Sequence, residues 1–211
     1  MESILAEKPL VDEKLMRISS RMDEFECYST AHGRGVAAIA DALGSAFNLA
    51  LRERFFLQQA ALIHDIGEMA MNREYIRASI GLAANERIDL QRHPVIGEQE
   101  AAKLDLPRGV QLIVRWHHEW WNGSGYPDAI EREQIPVAAR ILRVADTFSA
   151  LTSNRPYRAA MSDDQAKKYM VEWAGIEFDP SVVKAFLSID LPEEIQPDPT
   201  APAPYGGLSI V

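Results

Sequence analysis

Apolar residues recur at helical spacing along most of the chain. Val36, Ile39, Ala40, Leu43 and Phe47 follow the i, i+3, i+4, i+7 order of a helix with one face on a core. Residues 55–63 are apolar almost throughout, which predicts a helix buried on most sides, with His64 and Asp65 at its C-terminal end ahead of Gly67. Residues 68–92 are less regular: Gly81 and Asn85 read as breaks, and a helix resumes near Glu86 and runs into His93. Pro94 cannot extend a hydrogen-bonded ladder, so it starts the next helix, whose apolar positions Ile96, Ala101, Ala102 and Leu104 precede a stop at Pro107. Residues 110–116 lead to the doublet His117-His118, and Asn122-Gly123-Ser124-Gly125 is a loop. Pro136 opens a helix in which Ile141, Leu142, Ala145, Phe148 and Leu151 surround Asp146 with apolar neighbours, and two more helices cover residues 165–173 and 181–187.

No segment alternates at period two, so the predicted fold is all-α, a single helical bundle domain. Residues 1–20 read as a lead-in helix or extension and residues 21–190 as the domain. Residues 191–211 form a flexible Pro-rich C-terminal tail, with five prolines and two glycines after Leu191 and no packed core of their own.

Composition narrows the function classes. With 47% apolar and 25% charged residues, 211 residues suffice for one sizeable core. A formal charge of −9 excludes the basic surface that tracks nucleic-acid phosphates, so neither a DNA nor an RNA duplex is an expected partner. An anionic ligand must be caught locally, by metal ions or a few arginines. Cys27 is alone, which excludes an intrachain disulfide and a secreted disulfide scaffold. Glu2, Glu7 and Lys8 interrupt any signal-peptide core, and no uncharged apolar run approaches the ~18 residues of a membrane span. The expectation is a cytoplasmic protein without membrane insertion.

The candidate chemistry lies in the histidines. All five stand in short segments that suit ligands: His32, His64 with Asp65, His93 beside Pro94, and His117-His118 ahead of Trp120, Trp121 and a Gly-rich loop. Each alone reads as well as a satisfied core residue; together with Asp146 they form a set able to hold two metal ions. Imidazole and carboxylate donors without cysteine suit Fe or Mn, or Zn, rather than Ca or Mg, and two ions ~3.5–4 Å apart are a known device for in-line displacement at phosphorus. Arg155 and Arg158, in the segment NRPYR, can add charge for a phosphate, with a solvated loop as the alternative.

These residues resemble the HD-GYP family, bacterial signalling phosphodiesterases related to the wider HD hydrolases. The resemblance rests on HDIG at His64, HPVIG at His93, HHEWWNGSGYP at His117, RILRVAD ending at Asp146, ALTSNRPYR ending at Arg158 and GIEFDP ending at Pro180. It implies hydrolysis of cyclic di-GMP to pGpG, and in some members onward to GMP, by a hydroxide bridging two metals. It also implies that His64, Asp65 and Asp146 surround one metal with His32 nearby, that His93, His117 and His118 surround the other, and that Asp65 bridges. On the same ground His64, Asp65 and Arg155 are expected to carry catalysis, and Tyr126, Arg155, Arg158 and Glu68 to face the substrate. The chain departs from the family at four places. Glu68 stands where the family has a lysine, and is expected either to point at the metals or to pair with Arg155. Ser149 replaces a second aspartate, which suggests that a family ion pair was lost as a unit; Asn122 replaces an aspartate before Gly123; Tyr28 stands where some members carry a glutamate for a third metal. Two metals are therefore expected. Other readings are an HD-type phosphohydrolase on another nucleotide or cyclic dinucleotide, or a weakly active metal- and nucleotide-binding signalling module. A homodimer or a regulatory protein partner is compatible with each.

Overall fold

The computed structural model describes residues 13–28, 30–77, 82–154 and 159–191, so Arg155, Arg158, Gly81 and the tail beyond Leu191 lie outside the described residues. Among these residues the chain forms ten α-helices and no strand: α1 (Glu13–Phe25), α2 (His32–Ala46), α3 (Leu51–Ile63), α4 (Ile66–Met71), α5 (Ala84–Leu90), α6 (His93–Lys103), α7 (Arg108–Trp116), α8 (Val137–Thr152), α9 (Asp163–Glu172) and α10 (Pro180–Phe186). The all-α expectation is met. Short 3-10 turns occur at Glu74–Arg77 and Arg132–Gln134, and a lone bridge joins Ala174 to Phe178.

The core is one contiguous cluster. The periodic residues of α2, Val36, Ile39, Ala40 and Leu43, meet Leu57, Ala60, Ala61 and Leu62 of α3 and Ile141, Leu142, Ala145 and Phe148 of α8, all with at most 1% exposure. Full burial of each large aliphatic or aromatic side chain contributes on the order of 1.5–3 kcal/mol, and this interior fixes where the helix ends fall. α1 crosses residues 20–21, where the sequence pattern places the start of the domain, and buries Leu15 and Met22 in the same cluster.

Two local readings change. The helix expected to run from Glu86 into His93 ends at Leu90, where Gln91 N–H bonds back to Arg87 O; His93 is instead the first residue of α6, with Pro94 in its first turn. Asn85 is no break: it is the second residue of α5, which follows extended Ala83, and the Glu86 carboxylate accepts the Ala83 N–H at 2.7 Å. The helix before His64 ends there, as its pattern predicts. The chain breaks at His64-Asp65 and restarts as α4, which lies on α6.

Candidate metal centre

Helix ends deliver the candidate ligands. His32 and His93 are the first residues of α2 and α6, His64 and Asp65 fill the break between α3 and α4, His117 and His118 follow the last residue of α7, and Asp146 lies on the buried face of α8. The seven residues named from the sequence thus meet in one interior cluster. A ligand atom from each of Asp65, His93, His117 and His118 lies within 4.8 Å of the others, and the same holds for His32, His64 and Asp146. Asp65 links the two groups. Its Oδ2 is 3.2 Å from His64 Nε2, while its Oδ1 is 3.2 Å from His93 Nε2 and 3.3 Å from His117 Nε2. Asp146 Oδ1 stands 3.4 Å from Nε2 of both His32 and His64.

The backbone decides which ring nitrogen is free. Nδ1–H of His64, His93 and His117 donates to the carbonyls of Ala61, Leu90 and Val114, each three residues earlier, at 2.8, 2.8 and 2.6 Å. A carbonyl only accepts, so in the neutral rings every Nε2 presents a lone pair. His93 and His117 point these lone pairs at one another across 3.4 Å, with the Asp65 Oδ1 against both. Three electron-rich atoms converge with no proton between them unless a ring is charged, and a divalent cation relieves that repulsion. His32 Nε2, His64 Nε2 and Asp65 Oδ1 are buried without a hydrogen-bond partner, since their contacts are within ion-pair reach but outside hydrogen-bond geometry. The donor set therefore fits metal ions on both sides of Asp65.

Electrostatics agree with a cation-seeking site. Burial opposes charge on Asp65, yet the His64 charge and the close approach of the His117, His64 and His93 rings hold its pKa well below the carboxylate range. For Asp146 burial is likewise overcome by the His32 and His64 rings against its Oδ1, and its pKa is held well below the carboxylate range. Burial works against a proton on His64, but Asp65 and Asp146 carry its pKa well above the ordinary histidine value. The carboxylates that favour a proton on Nε2 favour a metal in its place.

His118 differs from the other histidines. Its Nδ1 accepts from Arg143 Nη1 at 2.7 Å, which puts the proton of the neutral ring on Nε2. Burial, then the charges of His117 and Arg143, push its pKa well below the ordinary value. Tyr126 stacks on His118 at 4.8 Å and 16°, and meets His93 edge-on. Glu68 approaches His93 Nδ1 to 3.9 Å and stands outside both ligand groups; burial and the Asp65 charge raise its pKa well above the carboxylate range. The Ser149 hydroxyl contacts His32 Nδ1 at 2.9 Å, and Tyr28 stacks on His32 at 3.9 Å. Glu68 and Ser149 thus touch different histidines.

Residues 2–182 match the HD domain family. The chain belongs to the HD domain family. The HD domain is 34% identical over 178 residues to a cyclic di-GMP phosphodiesterase response regulator, RpfG, of Xanthomonas campestris, covering 83% of this chain and 47% of the relative. It is 31% identical over 159 residues to a 3'3'-cGAMP-specific phosphodiesterase 2 of Vibrio cholerae, covering 74% of this chain and 30% of that protein. It spans less than half the length of either. Among solved structures, a cyclic GMP-AMP specific phosphodiesterase of V. cholerae shares the fold with a TM-score of 0.67 at 20% identity, covering 83% of this chain and 47% of that one.

Three residues of this HD domain carry structure that sequence reasoning did not assign. Arg143 is half-buried beside the cluster, pairs with Glu177, and reaches Asp146 Oδ2 at 3.8 Å. Arg140, one turn earlier, pairs with Asp179, so the GIEFDP segment anchors both arginines of RILRVAD. Glu119 is buried in HHEWWNGSGYP and accepts the Asp128 N–H at 2.6 Å, which ties the loop bearing Tyr126 to the end of α7. A signal was available for Glu119, an acid inside an aromatic segment. Of the described residues, no helix is long and apolar enough to cross a membrane.

Proposed function

We propose that this HD domain is a metal-dependent phosphodiesterase that hydrolyses cyclic di-GMP to pGpG, as the HD-GYP resemblance implies. The observation that carries the reading is the Asp65 carboxylate set between His64 on one side and His93 and His117 on the other. His64, Asp65, Asp146 and His32 would hold one ion and His93, His117 and Asp65 the other, joined by His118 where Arg143 releases its Nδ1; Fe or Mn fits by donor type, with Zn the next choice. Two such ions supply charge to the phosphoryl oxygens and a nucleophile from water at neutral pH.

The chain's own residues do the rest. Backbone carbonyls of Ala61, Leu90 and Val114 fix three imidazoles before substrate arrives, so no reorganisation is needed at the moment of reaction. Tyr126 is half-buried against His118, and the desolvation of its hydroxyl raises its pKa above the ordinary phenol value, so it keeps its proton and can donate a hydrogen bond to a phosphoryl oxygen. Arg155 and Arg158 are assigned to the phosphates on sequence grounds. A related cyclic dinucleotide, 3'3'-cGAMP, is the second reading, because the relative named for it matches at nearly the identity of the one named for cyclic di-GMP. Chromatography of cyclic di-GMP and 3'3'-cGAMP incubated with the protein and Mn²⁺ or Fe²⁺ tests this. Linear product is expected from the wild type, with loss of at least about 100-fold in Asp65→Ala and His64→Ala. Turnover surviving both substitutions overturns the assignment.

A further inference from the structure

A groove of about 390 Å³ opens beside the cluster, lined by Ile88, Gln91, Arg92, Val95, Ile96 and Gln99 on the α5–α6 side and by Tyr126 and Pro127 opposite. We propose that it binds one purine base of the cyclic dinucleotide, an inference that rests on the phosphodiesterase reading and deepens it. Continuity with the site is the first argument. Arg92 precedes His93, Val95 follows it within one turn of α6, and Tyr126 has its ring on His93 and His118 while it also lines the groove. Tyr126 is therefore a wall shared by the two spaces. A ligand with a phosphate at Asp65 has this groove as its neighbouring lined space.

Size and chemistry select the occupant. The volume lies at the small end of ligand pockets, enough for a base with part of its sugar and too small for a whole cyclic dinucleotide. Val95, Ile96, Ile88 and Pro127 give apolar faces for a flat ring. Gln91 and Gln99 are exposed and make no side-chain hydrogen bond with any described residue, so both amides can pair with the edge of a base. Arg92 is 63% exposed and, among the described residues, its side chain bonds to Asp89 alone, at 2.9 Å; its remaining guanidinium N–H groups can meet the N7 and O6 acceptors of a guanine. An all-apolar groove would suggest a protein helix, and a row of cations a bare phosphate; this lining has neither character.

The test compares a substrate with bases and one without. Steady-state kcat and KM are measured with Mn²⁺ for cyclic di-GMP and for bis(p-nitrophenyl) phosphate, in the wild type, in Val95→Trp, which fills the groove, and in the exposed double variant Gln91→Ala with Gln99→Ala. KM for cyclic di-GMP should rise about tenfold in each, at the scale of one or two lost polar contacts, with kcat and cleavage of the small diester unchanged. A KM within twofold of wild type in both variants overturns the groove and leaves the phosphodiesterase reading standing. An equal loss on both substrates in both variants marks damage to the cluster and also overturns it. A wild type that cleaves the small diester but no cyclic dinucleotide overturns the functional reading, and the groove with it.

Discussion

At His118 the Nδ1 lone pair already accepts from Arg143, whereas His93 and His117 offer Nε2 with Nδ1 fixed by a carbonyl. The two kinds of histidine should differ as ligands. His93→Ala removes a pre-oriented donor beside Asp65 and should lower bound metal from two toward one per chain, measured by elemental analysis after equilibration with limiting Mn²⁺. His118→Ala should lower metal content less, with an affinity loss near the lower end of the roughly 10–100-fold range typical of groups that orient a ligand. Equal losses would show that Arg143 yields Nδ1 freely. The histidine segments were legible in the sequence because each carries a local mark: an adjacent acid, a proline or a doublet. Arg143 was not, since its partners His118 and Glu177 are 25 and 34 residues away and only the fold brings them together. The same distance hid the surroundings of Glu68, which stands at His93 and not among the ligand atoms because the helix breaks at Asp65.

Helices α4 and α6 touch backbone to backbone at Gly67. A Cβ there would lie 2.0 Å from His93 O and 2.8 Å from Gly97 N, neither of which is the tip of a flexible side chain. Gly67→Ala must separate the helices that carry Asp65 and His93, and should cost about 3 kcal/mol, read as a shift in urea unfolding midpoint at constant m-value. The loop after α7 depends on a different device. Arg115 grips Asp128 through Nε at 2.6 Å and Nη2 at 2.7 Å, and Trp116 Nε1 adds a third bond at 2.7 Å. These bonds, Arg115 first, hold the Asp128 carboxyl below its ordinary pKa. A depressed pKa means that the stabilisation is fully present above the unfolded value of ~3.9 and disappears as pH falls through the lower folded value. Asp128 is partly exposed, so Asp128→Asn should cost only about 1 kcal/mol at pH 7, and that difference should shrink below about pH 4 in chemical unfolding. At this scale the long amphipathic helices were legible from their period, while α4 was not, being six residues with no room for a periodic signal.

Over the whole molecule, the cluster joins what the core leaves separate. α2, the α3–α4 break, α6, α7 and α8 each send one or two side chains to it, and the sequence order of those segments gave the helical class and the convergence but not the brace from GIEFDP behind them. A site assembled from five elements exists only in the folded chain, so an ion bound there stabilises the fold by mass action. With free metal about 100-fold above its dissociation constant the gain is roughly 2.7 kcal/mol per site. For a domain of this size each kcal/mol moves the melting temperature about 2–4 °C, so one ion is worth roughly 5–10 °C. Chelation followed by removal of the chelator should therefore lower Tm by at least that amount in differential scanning calorimetry, and Mn²⁺ should restore it. The increase should be lost in Asp65→Ala, which removes the atom common to both groups, and should be halved in His93→Ala, which disturbs one. A melting temperature indifferent to Mn²⁺ in the wild type would leave the convergence of His93, His117 and Asp65 without the cation that explains it.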